Sequence, residues 1–136
     1  MAGLMELIAE SHVFAEKTGL PAPILEKLLE LNFGAVAHSD SIRMTTGVYR
    51  PGEGEAPWSG LDLALKDVGH GVDCAQQNGV DLKVGKIALE NLKAAKTWTD
   101  ENGGRGLDSS SLYGVVRMQS GLDFETDFVK IRDGKQ

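Results

Sequence analysis

Between Ser59 and Gly79 the chain reads SGLDLALKDVGHGVDCAQQNG, with Leu61, Leu65, Val68, Val72 and Ala75 at spacings of four, three, four and three. Side chains three and four apart share one face of an α-helix, so this stretch predicts an amphipathic helix with one buried stripe. Ser59 is the candidate N-cap and Gly79 the stop. Gly69 and Gly71 each cost a mid-helix position about 1 kcal/mol relative to alanine. Their expected use is to admit another backbone or a ligand. Cys74 borders the stripe and is expected to be a buried structural thiol. Lys66 stands opposite the stripe, next to Asp67 and sharing a general face with Asp62, His70 and Asp73.

The same period runs outward from this segment. Upstream, Leu4, Ile8, the Leu7/Ser11 side and Phe14 predict a first helix, ended by Gly19 and Pro21. Pro23 opens a short second helix with Ile24, Leu28 and Leu31 inward, ending near Asn32. Val36, Ile42 and Met44 predict a third, with Asn32 as candidate cap and Thr45-Thr46-Gly47 as its end. Residues 47–60 hold four glycines and two of the four prolines, so they read as a loop. Ordered loops of that length tend to wrap a neighbour or border a site. Downstream, Val84, Ile87, Ala88, Asn91, Ala94/Ala95 and Trp98 predict a fifth helix. Asp108 caps a sixth, with Leu112, Val115, Val116 and Gln119 inward and Gly121 as its stop. The tail from Leu122 reads as polar, apart from Phe124 and Phe128. With no period-2 segment, the expectation is an all-α fold, a compact bundle of about six helices in one domain over residues 1–136.

Composition narrows the function classes. The 136 residues carry 14 basic and 20 acidic side chains, a formal charge of −6. Phosphates repel such a surface, so neither nucleic acid nor an anionic membrane is an expected partner. No apolar run approaches the roughly 18 residues that span a bilayer. The start lacks a basic n-region, so no signal peptide is read and a cytoplasmic location is expected. The single cysteine excludes an internal disulfide and any multi-cysteine metal site.

On spacing alone, no catalytic constellation is visible. His12, His38 and His70 do not pair at i, i+4, and no metal site is expected. His70 and Asp73 read as a surface pair. Ser109-Ser110-Ser111 reads as a cap and first turn, because a nucleophile elbow needs a G-x-S-x-G context. Gly103-Gly104-Arg105-Gly106 follows a helix rather than a strand, so it reads as a turn and not a phosphate cradle. Lys66 with Asp62 four residues before it is also what any exposed helix offers.

The order of four segments adds a resemblance. Residues 8–20, IAESHVFAEKTGL, resemble the "AEA-x-x-LA-x-x-x-GL" helix of the β-hydroxyacid dehydrogenases. That family includes 3-hydroxyisobutyrate dehydrogenase, tartronate semialdehyde, glyoxylate and imine reductases, and is 6-phosphogluconate dehydrogenase-like. Residues 58–68, WSGLDLALKDV, look like its "F-x-x-x-L-x-x-KD-L" helix start. Residues 75–80, AQQNGV, match its "A-x-x-x-G". Residues 106–112, GLDSSSL, resemble its "G-x-D-x-S-A".

The resemblance implies the family's helical C-terminal substrate and dimerisation domain. An N-terminal Rossmann domain with its G-x-G-x-x-G loop is missing from these residues. The family's catalytic lysine and asparagine, counted back from Glu10, would fall before Met1, so no catalytic residue is assigned. Lys66 would be a cofactor contact, for NAD or NADP, in the intact enzyme, and Asp67 would fix the helix start. The implied chemistry is hydride transfer between NAD(P)H and a small hydroxyacid, semialdehyde or imine. These residues alone would be inactive and bind no cofactor. A homodimer through the helical domain is implied, with Leu4, Leu7 and Ile8 exposed where the opening helix is incomplete. The alternative is a non-enzymatic helical dimerisation or interaction module that keeps the fold.

Overall fold

A computed structural model describes residues 1–135. It contains six α-helices and no strand among the described residues: α1 Ala2–Thr18, α2 Ala22–Thr45, α3 Leu61–Gln77, α4 Lys83–Glu101, α5 Leu112–Gln119 and α6 Asp127–Arg132. A single 3-10 turn, Ser109–Ser111, leads into α5. The all-α expectation and its compact bundle hold.

The second and third expected helices are one element, α2, with a break inside it. Gly34 has φ 76° and ψ −167°, a conformation open essentially to glycine alone, so the axis kinks there. Asn32 is not a cap; its amide donates back to the Leu28 carbonyl. Nor does Ser59 cap α3, whose N-cap is Gly60 without a side-chain bond.

The core gathers Ile8, Ala9, Met44, Tyr49, Leu92, Ala95, Leu112, Val115 and Val129. It lies between α1, α4 and α5, with α2 and α3 packed outside them. Each of the Ile, Met, Leu and Val side chains among them, taken from water, contributes about 1.5–3 kcal/mol. The α3 stripe is confirmed, with Leu61 and Val72 buried and Leu65, Val68 and Ala75 half-buried. Other faces are rotated from expectation. In α1 the buried set is Met5, Glu6, Ile8, Ala9, His12, Val13 and Ala15, whereas Leu7 and Phe14 stand exposed. In α2 the Ile24, Leu28 and Leu31 face points outward and Leu29 is buried instead. In α4, Val84 and Ile87 are exposed while Leu89 and Leu92 join Ala88, Asn91 and Ala95 inside. These helices carry apolar residues on more than one side, and a period does not say which side meets a neighbour. Of the three residues expected at the surface near the start, Leu7 is exposed, Leu4 is half-buried and Ile8 is buried.

The 47–60 loop wraps the chain's own tail. Tyr49, fully buried, donates its hydroxyl to the Phe124 carbonyl at 3.1 Å and accepts the Thr126 N–H at 2.8 Å. Arg50 Nε donates to Glu125 Oε1 at 3.0 Å, and Arg132 returns to the Gly47 and Arg50 carbonyls. Phe124 stacks on Trp98, ring centroids 3.7 Å apart. The tail is therefore docked rather than merely polar, and it forms α6, which its sequence did not announce. Thr126 caps that helix.

Candidate functional site

Two of the segments singled out in the sequence meet in space. Gly60 and Asp108 form an isolated antiparallel bridge, closed by Leu61 N–H to the Leu107 carbonyl at 2.9 Å and Ser109 N–H to the Ser59 carbonyl at 2.7 Å. Asp108 is fully buried at this clasp. Its Oδ2 accepts the Ser59 N–H at 2.8 Å. Its Oδ1 accepts the Ser110 N–H and hydroxyl at 2.9 and 2.6 Å, and Arg43 Nη1 at 3.3 Å. Asp108 thus caps the 3-10 turn, as its place before three serines predicts.

Arg43, from the last turn of α2, also donates to Ser109 Oγ at 3.2 Å and lies over the Trp58 ring, 5.6 Å from its centroid. Asp40 lies one turn back. Burial pushes its carboxyl above the usual aspartate range, against the pull of Arg43 and the Met1 ammonium. Asp40 Oδ2, Arg43 Nε and Ser111 Oγ are buried without a hydrogen-bond partner. No sequence motif marked Asp40 or Arg43, because an exposed helix face would show the same residue types.

The clasp fixes the start of α3, and α3 carries Lys66. At a rise of about 1.5 Å per residue, Lys66 sits roughly 7.5 Å along the axis from Leu61. Its side chain is 57% exposed, in keeping with a place opposite the stripe, and its ammonium approaches Asp67 Oδ1 at 3.4 Å. Such an exposed neighbour pair contributes little and leaves the ammonium available to a ligand. Asp62 does not serve Lys66; it pairs with Lys96 at 3.4 Å. Asp67 does not fix the helix start, since the acidic residue in the first turn is Asp62.

One further expectation for α3 is corrected. Cys74 is exposed, because two residues from Val72 is about 200° around the helix, away from the stripe. Within this chain nothing approaches Gly69 or Gly71: a Cβ placed on either would meet nothing within 4 Å. His70 and Asp73 both lie on the exposed face. Among the described residues no group of three His, Cys, Asp or Glu side chains could hold a metal ion.

A cavity of about 390 Å³ opens elsewhere, between the end of α1, the end of α2 and α6, lined by His12, Met44, Thr45, Tyr113 and Phe128 among others. His12 Nε2 lies 2.7 Å from Ser41 Oγ, and burial lowers its pKa, so the ring is neutral at pH 7. Neither Lys66 nor Asp108 reaches this cavity.

The polar machinery suits positioning rather than bond-making. One buried carboxylate gathers a loop, a helix start and a 3-10 turn, and an exposed lysine projects from the helix so held. Toward a ligand the site offers one exposed cation, Lys66, and among the described residues there is no glycine-rich strand–turn–helix of the kind that wraps a dinucleotide's diphosphate.

No known family profile and no solved structure matches the chain. The NADH-dependent oxidoreductase ucdB of Aspergillus ustus is 36% identical over 123 residues, covering 90% of this chain and 41% of that enzyme. The chain therefore spans less than half the length of this relative. No helix among the described residues is long and apolar enough to cross a membrane. An all-helical bundle related to part of an oxidoreductase is what the fold and the comparison together establish.

Proposed function

We propose that these residues are the helical C-terminal domain of a nicotinamide-dependent oxidoreductase of the β-hydroxyacid dehydrogenase type. The observation that carries the reading is the 36% identity to an NADH-dependent oxidoreductase across 90% of the chain. The ordered motifs support it, since two of them meet at the Gly60–Asp108 bridge.

In this reading a Rossmann domain supplies the cofactor cradle and the helical domain forms the opposite wall of the cleft. The bound cofactor would accept the hydride of a small hydroxyacid when oxidised, or give one to a semialdehyde or imine when reduced. Lys66 donates a charge-assisted hydrogen bond to the cofactor, NAD or NADP. Asp108 holds the start of α3 and so fixes where Lys66 projects. The family's general acid is not among these residues, so the chain alone turns nothing over. The parent enzyme works in the cytoplasm as a homodimer through the helical domain.

The test replaces the matched 123-residue stretch of ucdB with the corresponding residues of this chain. NADH binding and oxidation by the chimera are expected, both weakened by Lys66→Ala. A folded chimera that neither binds nor oxidises NADH sinks the proposal. NADPH turnover by the 136-residue chain alone would sink the claim that it is inactive in isolation.

A second reading, a non-enzymatic dimerisation module, is favoured by the exposed side chains of Leu28, Leu31, Phe33 and Val36 on α2. Surfaces of this kind promote association. Sedimentation as a dimer, with a chimera inert to NADH, would select it.

A further inference from the structure

α1, α4 and α5 meet at a chain of polar side chains that the proposed chemistry does not use. Glu6 of α1 is buried, 4% exposed. Its Oε1 accepts Asn91 Nδ2 of α4 at 2.5 Å, and Asn91 Oδ1 accepts Gln119 Nε2 of α5 at 2.8 Å. The second carboxylate oxygen of Glu6, Oε2, is buried without a partner. Met5, Ile8, Ala9 and Leu92 form the surrounding core.

A buried carboxylate is normally matched by a cation. None is matched to Glu6. Asn91 and Gln119 are uncharged, and Glu90 and Lys93, which flank Asn91 on α4, are exposed. From α5, Arg117 is engaged by Glu16 and the Tyr113 hydroxyl. From α2, Asp40 and Arg43 belong to the Asp108 cluster, as does the Met1 ammonium that acts on Asp40. Within α1 the nearest charge acting on Glu6 is Glu10, which has the same sign.

We propose that the Glu6–Asn91–Gln119 chain is a pH-sensitive latch joining α1, α4 and α5: the junction is tight when Glu6 carries a proton and loosens when that proton leaves to water, because the cost of the unmatched buried charge exceeds the gain of a stronger Asn91 hydrogen bond. The proton sits on Oε2, so Oε1 stays free to accept from Asn91. Loss of the proton places an unmatched negative charge in the core, which draws water into the helix junction. Burial, with help from Glu10 and against the Asn91 hydrogen bond, raises the carboxyl from 4.5 to about 7, so the latch works near neutral pH.

The sign follows from linkage. The folded chain holds this proton more tightly than the unfolded one, so the contribution is full below about 4.5 and is lost as pH rises through about 7. The pH dependence of the whole chain sums over all its titrating groups, so the Glu6 part is read as a difference from Glu6→Gln, a neutral side chain of the same shape.

Two measurements on the 136-residue chain test the latch. The first follows the Glu6 carboxyl carbon of the unmodified chain by NMR as pH is raised. A midpoint near 7 is expected, and one near the ordinary 4.5 overturns the proposal. The second compares urea unfolding of the unmodified chain and Glu6→Gln. Relative to the variant, the unmodified chain's unfolding constant is expected to rise on the order of a hundredfold between those two pH values. Parallel curves overturn the proposal. Should Glu6→Gln fail to fold, the carboxyl titration alone decides.

Discussion

The Asp108 carboxylate accepts the backbone N–H of Ser59 at 2.8 Å, joining residues 49 positions apart. This contact ties the end of the long loop to the turn before α5, and it sets where α3 begins. Asp108→Asn keeps one acceptor but turns an N–H₂ group toward either the Ser59 N–H or the Arg43 guanidinium, and it leaves Arg43 without its countercharge. Breaking a buried pair in this way costs about 3 kcal/mol, so the urea midpoint is expected to fall sharply. An unchanged midpoint would show that the clasp does not hold the fold together.

Gly114 lies under the Phe124 ring. A Cβ built there comes within 2.5 Å of ring carbons. Phe124 is held on its other contacts by Trp98, stacked 3.7 Å away, and by Tyr49. Gly114→Ala is expected to destabilise by about 1–3 kcal/mol through overpacking and to shift the Trp98 fluorescence. Retained stability with an unshifted spectrum would show that the tail yields more easily than its contacts suggest.

Lys66 separates stability from binding. With a 57% exposed side chain, its replacement by alanine is expected to change unfolding by no more than about 0.5 kcal/mol. In the ucdB chimera the same change is expected to weaken NADH binding about tenfold or more, because a hydrogen bond from a charged group contributes about 1.5–3 kcal/mol. Calorimetry on both proteins reads the two effects separately.

Asp133 is expected to contribute to the acid limb. Its carboxyl, buried by the fold, is held at about 2 by hydrogen bonds and charge from Arg132 and Arg105, which together outweigh the burial. The folded value is depressed, so this contribution is present above the ordinary 3.8 and is lost as pH falls through about 2. Asp133→Asn should flatten the loss of stability over that window, as followed by circular dichroism in acid. An acid limb identical to that of the unmodified chain would assign it to other carboxylates.

Much of the fold was legible because local patterns carry it. The Leu61–Ala75 stripe, the glycines that end α1 and α3, and the Asp108 cap each follow from spacing and backbone preference. The covered faces of α1, α2 and α4 were not legible. Leu7, Phe14, Leu28 and Ile87 are apolar at helical spacing, yet no element packs over them. α6 was missed because six residues give less than two turns of pattern. At the candidate site, Lys66 was visible as a cation off the stripe. Arg43 and Asp40 there, and Glu6 at the separate α1–α4–α5 junction, were not, since their residue types ordinarily mark solvent-facing positions.

The order of residues alone determined the helical class, the approximate ends of most elements and the outward placement of Lys66, because hydrogen bonding within a helix and its caps involve near neighbours in the chain. Only the packed structure decided which apolar faces are covered, that Asp108 reaches Ser59 and Arg43, and that Glu6 lies buried against Asn91. Those outcomes depend on contacts between residues 49 to 85 positions apart, and no local period encodes which distant surface will exclude water from a given side chain.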